Sequence, residues 1–280
     1  MFAKHARNEL LKLFARRRTY IGFGVFLAVE AIILALLNMD VVLAAFGTLL
    51  ANNGLQISDC YTGLTLATFI NFFTVTMLFG LYLALVAGDM VAKEVEDGTM
   101  RMVLSRPVAR LGLLAAKAIA CATYTLALGA FIGATTLLAA CLYMRGVGNL
   151  MVFGPTQRVF AVFGPSEGLW RYALSVALMC VSYQLVSAIA LMLSCFKIRP
   201  AAATVVTVTV LSVDLALRNI PFFQPLDHYF LGYHLGCWIR AFRSTLLWPE
   251  IVQSLILLAG ATLTCWVIGA TQFCTRDFKA

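Results

Sequence analysis

The densest group of ionisable side chains lies between Ala87 and Lys117, in the stretch AGDMVAKEVEDGTMRMVLSRPVARLGLLAAK. All four acids of this stretch precede Gly98, and four of its five bases follow it. The acids are Asp89, Glu94, Glu96 and Asp97, and the bases are Lys93, Arg101, Arg106, Arg110 and Lys117. Charges divided in this way favour docking of a soluble partner by charge complementarity.

Residues 89–110, which we call the elbow, are predicted to form a rigid helix-turn-helix. Gly98 can take the left-handed conformation that closes a helix, and Thr99 can accept hydrogen bonds from the free N–H groups of the next one. A short helix over residues 99–105 then ends near Pro107, because the residue before a proline disfavours the helical region. A merely solvated loop would not need this order of capping residues.

The elbow is flanked by long apolar runs. Of the 280 residues 61% are hydrophobic and 12% are charged, whereas soluble domains carry about 25% charged residues. Six continuous runs are each long enough to cross a ~30 Å hydrocarbon core as a helix. They cover residues 20–39, 64–87, 111–142, 169–195, 201–217 and 251–273. A barrel would show short alternating segments instead, so we predict an all-α polytopic membrane protein with one transmembrane domain over residues 20–280.

The distribution of basic residues predicts the orientation of these spans. With both termini in the cytoplasm, 15 of the 21 Lys and Arg residues lie on the cytoplasmic side and 6 on the other. This asymmetry predicts a multi-pass protein of the cell membrane with cytoplasmic termini. The net charge of +8 then reflects topology and contact with anionic lipid headgroups, and we do not expect nucleic-acid binding.

Two segments outside the spans are predicted to lie at the membrane surface. Within residues 1–19, Phe2, Leu10 and Phe14 share one helical face and Lys4 and Lys12 lie opposite, a pattern typical of an interfacial helix. A disordered basic tail is the alternative. Residues 218–249, here called the aromatic segment, are too apolar for bulk water and are predicted to form short or re-entrant helices at the outer interface.

Two acids within the spans are candidates for lining or gating a translocation path. Glu30 lies about 15 Å into the first span at 1.5 Å per residue, and Asp214 lies toward the outer end of the fifth, with Arg218 one turn later as a possible ion-pair partner. Charges at membrane depth cost about 2.5–3.5 kcal/mol on insertion scales and need partners or a wet cavity. Local pairing that only stabilises the bundle remains the alternative for both.

The spacing of the histidines and cysteines gives little support for a metal site or for thiol chemistry. His228 and His234 are six residues apart and share no helical face, so we expect no metal site. The eight cysteines include no C-x-x-C pair and mostly resemble small packing residues. A disulfide among Cys60, Cys141 and Cys237 stays open. Since no nucleophile and base are suitably spaced, an integral membrane enzyme is disfavoured. A stand-alone secondary transporter or channel remains the main alternative, although no internal repeat supports it.

The elbow resembles the cytoplasmic loop of ABC transporter permeases of the type 2 export class. The residues that carry the resemblance are Asp89, Ala92, Glu94, Glu96, Gly98, Thr99, Leu104, Ser105, Pro107, Arg110 and Lys117. Met100 stands where the family usually has Leu. The chain's ending, with Phe273, Arg276 and Asp277 after the last span, is also similar to that of the family.

The resemblance implies that the elbow is a coupling helix seated in a separate ATP-hydrolysing subunit. The chain has no G-x-x-x-x-G-K-[ST] phosphate loop, so we expect no cofactor in it, with ATP and Mg²⁺ bound by the partner ATPase. The family's architecture implies two copies of this chain, as a homodimer, and two ATPase subunits. The expected cargo is hydrophobic or amphipathic. The candidate coupling residues are Asp89, Glu94, Glu96, Gly98, Thr99, Arg101, Ser105, Pro107 and Arg110.

Overall fold

The computed structural model describes residues 2–15, 17–37, 39–40, 44, 61–105, 109–152 and 161–276. Its α-helices are α1 (Phe2–Ala15), α2 (Arg17–Leu37), α3 (Gly63–Thr74), α4 (Gly80–Glu96), α5 (Thr99–Leu104), α6 (Arg110–Met144), α7 (Pro165–Ser182), α8 (Gln184–Cys195), α9 (Pro200–Arg218), α10 (Leu231–Leu235) and α11 (Trp248–Thr275). A π-helical turn covers Val75–Phe79, and 3-10 helices cover Pro221–Tyr229 and Gly236–Phe242.

Six helical stretches are long and apolar enough to cross a membrane. They are Thr19–Leu37, Gly63–Glu96, Arg110–Met144, Pro165–Cys195, Pro200–Arg218 and Trp248–Thr275, here called the first to sixth spans. Their most apolar windows have mean hydropathies of 1.8 to 2.4. The predicted six-span helical fold class is therefore confirmed.

The fourth span lies at the centre of the bundle. Of its most apolar window 56% is buried, against 11% for the fifth span and 17% for the sixth. It packs against the second and sixth spans, and the second span packs in turn against the third and fifth. The fifth and sixth spans therefore expose most of their apolar side chains, as helices do where they face lipid or another subunit.

Two spans depart from regular α-helix at positions that sequence periodicity did not predict. The π-helical turn Val75–Phe79 joins α3 to α4 within the second span, where the N–H of Val75 meets the carbonyls of both Asn71 and Phe72. The fourth span is interrupted at Tyr183, whose φ and ψ are −74° and −2°. Such insertions re-aim the side chains of a helix and are frequent at functional sites.

Glycines on the third span allow it to approach the fourth closely. A Cβ at Gly129 would lie 2.5 Å from Cys180 Sγ, and one at Gly133 would lie 2.6 Å from Val176 Cγ2. Both distances are too short for any side chain, so glycine is required for the two spans to touch here. The sequence spacing of these residues, four apart, places both on the same face of α6.

A short β-hairpin precedes the fourth span and was not predicted. Strand β1 (Leu150–Val152) pairs antiparallel with β2 (Ala161–Phe163), and Leu150 lies opposite Phe163. The aromatic segment forms the predicted short helices, and its second 3-10 helix packs against α7. The hairpin and the aromatic segment together cover the end of the bundle that lies opposite the elbow.

Replacing Gly133 with Ala is predicted to destabilise the chain, because the new Cβ overlaps the β-branched Val176. Overpacking of this kind costs about 1–3 kcal/mol. The matched control is Gly260→Ala in α11, where nothing lies within 4 Å of the added Cβ and helix propensity gains about 1 kcal/mol. Thermal unfolding in detergent should show the melting temperature falling for the first variant and holding or rising for the second. Equal changes would contradict the close approach of the third and fourth spans.

Candidate functional site

The elbow has the predicted backbone. Helix α4 ends at Glu96, Gly98 takes a φ of +70°, and α5 begins at Thr99. Nothing lies within 4 Å of a Cβ placed on Gly98, so the need for glycine comes from backbone conformation and not from space. The left-handed closure of the helix at Gly98 is confirmed.

Thr99 does not cap the helix as predicted. Its hydroxyl donates to the carbonyl of Glu94, 3.1 Å away, and no side chain caps the N-terminus of α5. The capping prediction for Thr99 was therefore wrong, because the sharp turn at Gly98 directs its hydroxyl back to the preceding helix. Pro107, predicted to end α5, lies outside the described residues.

The exposed surface of the elbow combines charged, polar and apolar side chains. Glu96, Asp97, Arg101 and Ser105 are exposed, and Met102 is 66% exposed. Met100, between the exposed residues of α5, is fully buried and fixes this short helix against the bundle. The elbow thus presents an acidic edge, a basic residue and an exposed thioether on one rigid turn.

Glu94 faces the interior, contrary to its assignment to the docking surface. Its carboxylate is 2.7 Å from the ammonium of Lys117 in the third span, whose side chain is 0% exposed. Lys117 also reaches Glu9 of α1 at 2.9 Å. Lys12 pairs with Glu9 at 2.8 Å and approaches Glu94 to 3.9 Å. Two carboxylates and two ammonium groups therefore join α1, the end of the second span and the start of the third in one ion cluster.

The electrostatic balance of this cluster is visible at Glu9. Burial alone would raise the pKa of the Glu9 carboxyl, but the attraction of Lys117 and the hydrogen bonds from Lys12 and Lys117 outweigh it and lower the pKa below its usual value. Because the folded-state pKa is lowered, the stabilisation is present above the unfolded value near 4.5 and is lost as the pH falls through the folded one. The Glu9 carboxyl is consequently ionised at neutral pH.

Sequence reasoning missed the internal role of this cluster. Glu9 is the one acid in the basic N-terminal helix, and Lys117 lies two turns inside an apolar span. A lone acid among bases and a lone base among apolar residues are each signals of a buried partner. Nothing in either local pattern, however, says that the two partners are each other.

Helix α1 packs onto the bundle through its apolar face. Leu13 is buried, and Leu10 and Phe14 pack against the core. Phe14 lies 6.1 Å from Tyr124 of the third span, measured between ring centroids. The predicted amphipathic helix is therefore present, and its inward face contacts protein.

Two arginines connect the ends of helices near the elbow. Arg110 donates to the carbonyls of Cys274 and Arg276, at 2.9 and 3.0 Å. Arg276 donates to the carbonyls of Cys195 and Phe196, at 3.1 and 2.9 Å. Carbonyls at a helix C-terminus lack intrahelical partners and carry partial negative charge, so a guanidinium satisfies both needs. The elbow, the sixth span and the fourth span are joined in series.

Glu30 is buried in the interior of the protomer. Its side chain contacts the third span, where the Thr135 hydroxyl donates to Oε1 at 3.0 Å. The whole residue is 2% exposed, and among the described residues Oε2 has no hydrogen-bond partner. Glu30 therefore faces the packing between the first and third spans, and it does not line the cavity described below.

Asp214 holds the aromatic segment in place. Its two carboxylate oxygens accept from the backbone N–H groups of Leu231 and Gly232, at 2.9 and 2.8 Å. The possible ion pair with Arg218 is not observed, since Arg218 instead forms a bidentate ion pair with Asp227. Asp214 thus joins the fifth span to the N-terminus of α10, a role that a carboxylate fills well.

A cavity of about 780 Å³ lies between the second span, the fifth span and the aromatic segment. Thr76 and Met77 of the π-helical turn and Tyr183 at the break in the fourth span line it. Asp214 and Arg218 line it too. The two irregular helical positions therefore meet at one cavity, and of the two candidate path residues the structure brings only Asp214 there.

Two buried arginines fasten the aromatic segment to the spans. Arg171 of the fourth span donates to the carbonyls of Ala241 and Arg243. Arg240 donates to the Glu250 carbonyl and the Ser254 hydroxyl at the start of the sixth span. These arginines entered the sequence analysis only in the count of basic residues. In the structure they hold the aromatic segment in place beside the cavity.

The contacts of the described cysteine and histidine residues favour a role in packing and hydrogen bonding. Cys141 and Cys237 are free thiols, and Cys60 lies outside the described residues. His234 bonds the Ser254 hydroxyl and the His228 carbonyl, and burial, despite that bond to His228, lowers the pKa of His234. Within the described part of the chain no three His, Cys, Asp or Glu side chains could hold a metal ion together.

Six apolar helical spans and an elbow held by buried charges define a polytopic helical membrane protein. The family model of ABC-2 family transporter proteins matches residues 6–277, which is almost the whole chain. The chain therefore belongs to the ABC-2 family of transporters, whose members are permeases. No curated protein shows significant sequence similarity to the chain.

Replacing Lys117 with Met is predicted to destabilise the bundle strongly, because Glu9 and Glu94 would remain buried without their shared ammonium. Breaking a buried ion pair on one side costs about 3–5 kcal/mol. The triple variant Lys117→Met, Glu9→Gln, Glu94→Gln removes all three charges and should recover much of the loss. Chemical or thermal unfolding in detergent measures both. If Lys117→Met alone melts like the parent chain, the ion cluster is not the constraint described here.

Proposed function

We propose that this chain is the permease subunit of an ATP-binding cassette exporter, driven by a separate ATPase that docks on the elbow. Membership of the ABC-2 family supports the class of protein. The observation that carries the proposal is the division of the elbow's charges. Arg101, Glu96 and Met102 are exposed and available to a partner, whereas Glu94 is committed to the interior.

Docking would use the exposed turn of α5. Charged pairs across such a contact set orientation and encounter rate, and a flexible exposed methionine adapts to an apolar pocket. The side chain of Met102 is the largest apolar group that α5 exposes among the residues described. It therefore serves as the anchor, with Arg101 and Glu96 as the surrounding charges. Ser105 and Pro107 complete the proposed docking set.

Transmission would use the buried ion cluster. Lys117 bonds carboxylates from α1 and from the second span, so a displacement of the elbow moves all three elements together. Arg110 passes the same displacement to the sixth span through its bonds to Cys274 and Arg276. Glu94 and Arg110 accordingly act as coupling residues from inside the protein. The left-handed backbone of Gly98 and the bond from Thr99 to the Glu94 carbonyl keep the turn in shape. Asp89, which is buried near the end of the second span, remains a proposed coupling residue.

Two copies of this chain would form the path, and two ATPase subunits would bind ATP and Mg²⁺. The fifth span, of whose most apolar window only 11% is buried, offers the apolar surface that a second copy needs. The elbow end of the bundle would then face the cytoplasm of the cell and the aromatic segment the outer side, as the basic residues indicate. The cargo would be hydrophobic or amphipathic, since the side chains that the spans expose are mainly apolar.

Charge reversal at the docking surface is predicted to separate the permease from its ATPase. Co-expression of Arg101→Glu with the partner ABC ATPase should reduce the recovered ATPase at least tenfold, because a rim charge is turned against its partner. The matched control is Arg145→Glu, which changes an exposed arginine at the opposite end of the third span. Quantified co-purification is the readout. Undiminished recovery with Arg101→Glu and Met102→Asp combined would refute docking at α5.

A further inference from the structure

The chemistry of the cavity beside the second span points to a class of ligand, and this inference rests on the proposed transport function. The cavity measures about 780 Å³. Ligand pockets span about 300–1,000 Å³, so a single-chain or drug-sized molecule fits within one protomer. The side chains that line it are apolar on the part formed by Met77, Leu81 and Leu215, here called the floor. They are charged on the part formed by the end of the fifth span and the aromatic segment, here called the rim.

The floor of the cavity is apolar and already exposed. Met77 is 66% exposed, Leu81 44% and Leu215 49%, and all three line the cavity. Phe72 adds an aromatic face, with its ring centroid 6.0 Å from that of Trp238. The floor therefore suits a hydrocarbon chain or a flat apolar ring.

The rim of the cavity is polar, and its bases outnumber its acids. Three arginines and two aspartates line it, namely Arg218, Arg240, Arg243, Asp214 and Asp227. The carboxylate oxygens of Asp214 accept hydrogen bonds from backbone N–H groups. The carboxylate of Asp227 forms an ion pair with Arg218. The Arg243 side chain is 48% exposed, and its Nη1 forms an ion pair with the Glu250 carboxylate. Arg218 is paired with Asp227, and Arg240 is bonded to the Glu250 carbonyl and the Ser254 hydroxyl. Arg243 is therefore the most exposed of the three guanidinium groups that an incoming anion would meet.

The helical irregularities lie at the same cavity. Thr76 and Met77 belong to the π-helical turn, and Tyr183 marks the break in the fourth span. A regular helix would turn these side chains to other faces. Two independent departures from helical geometry at one cavity indicate that its shape is specified, beyond what packing six spans requires.

We propose that this cavity binds an amphiphile with one anionic headgroup, its apolar part against Met77 and Leu81 and its headgroup at Arg243. A carboxylate or phosphate head meets a guanidinium with charge-assisted hydrogen bonds. The cargo of the exporter is then an anionic amphiphile, entering the protomer between the second and fifth spans. Arg243 is the residue that sets the preference for charge.

Binding can be read from Trp238. This residue lines the cavity and is 2% exposed, so a quencher must enter the cavity to reach it. The full chain carrying Trp170→Phe, Trp248→Phe and Trp266→Phe retains it as the one tryptophan. A doxyl-labelled fatty acid should quench it saturably in detergent, half-saturating at a concentration at least tenfold below that of its methyl ester.

Two matched pairs of variants locate the ligand. Arg243→Gln should raise the half-saturating concentration of the acid about fivefold and leave the ester unchanged, while Arg145→Gln changes neither. Met77→Gln should weaken both probes, and Ile256→Gln, which alters a side chain with the same 66% exposure on the sixth span, should weaken neither.

Several results would overturn the proposal: no saturable quenching, equal affinity for acid and ester, tighter binding of a doxyl-labelled alkylammonium, or an unchanged affinity in Arg243→Gln. Because the measurement uses no ATPase, a negative quenching result does not bear on the proposed docking at the elbow. Loss of docking at the elbow would likewise leave the quenching result standing.

Discussion

A single buried ammonium group organises the part of this protein that we assign to energy coupling. Lys117 has no exposed surface and bonds two carboxylates, Glu9 at 2.9 Å and Glu94 at 2.7 Å. A charge withdrawn from water is tolerated only when its partners are fixed in place. The position of α1 and the end of the second span are therefore set by one side chain of the third span. The end of α4, from which the elbow projects, is thereby tied to these neighbours through Glu94.

The opposite end of the bundle is held by the same kind of interaction with different partners. Arg171 and Arg240 donate to backbone carbonyls of the aromatic segment and the sixth span, and Asp214 accepts from the backbone of α10. Charged side chains thus fasten irregular backbone at both ends, and apolar side chains fill the spans between. We propose that motion applied at the elbow reaches the cavity through the second span, which carries Glu94 at one end and the π-helical turn near its middle.

Much of the architecture was predictable from the sequence because it depends on local composition. The apolar runs indicated six spans, and Gly98 between an acidic and a basic stretch indicated the turn. The internal pairings were not predictable in this way. Glu94 and Lys117 are 23 residues apart and Glu9 and Lys117 are 108 apart, so nothing short of the packed bundle shows that they meet. For the same reason Glu94 was assigned to the surface and Arg218 was considered as the partner of Asp214.

Helical irregularities were hidden from sequence reasoning for a related cause. The π-helical turn, with the sequence Val-Thr-Met-Leu-Phe, contains no proline or glycine, and Gly80 follows it. The break at Tyr183 likewise has no local helix breaker. Phe79, at the end of the π-helical turn, packs on Tyr183 at the break, with ring centroids 4.9 Å apart. A cavity formed at such positions becomes visible only when the spans are assembled.

The ion cluster predicts that α1 and the elbow move as one body. Spin labels at Leu11 and Asp97, which are both exposed and lie outside the proposed docking set, report the distance between them by pulsed electron resonance. Labelling by a chemistry other than thiols is needed, since the chain has eight cysteines. With the ATPase bound, adding ATP should leave this distance and its width unchanged, while the distance from Asp97 to Phe222 at the opposite end shifts. A change in the first distance during the nucleotide cycle would contradict the account.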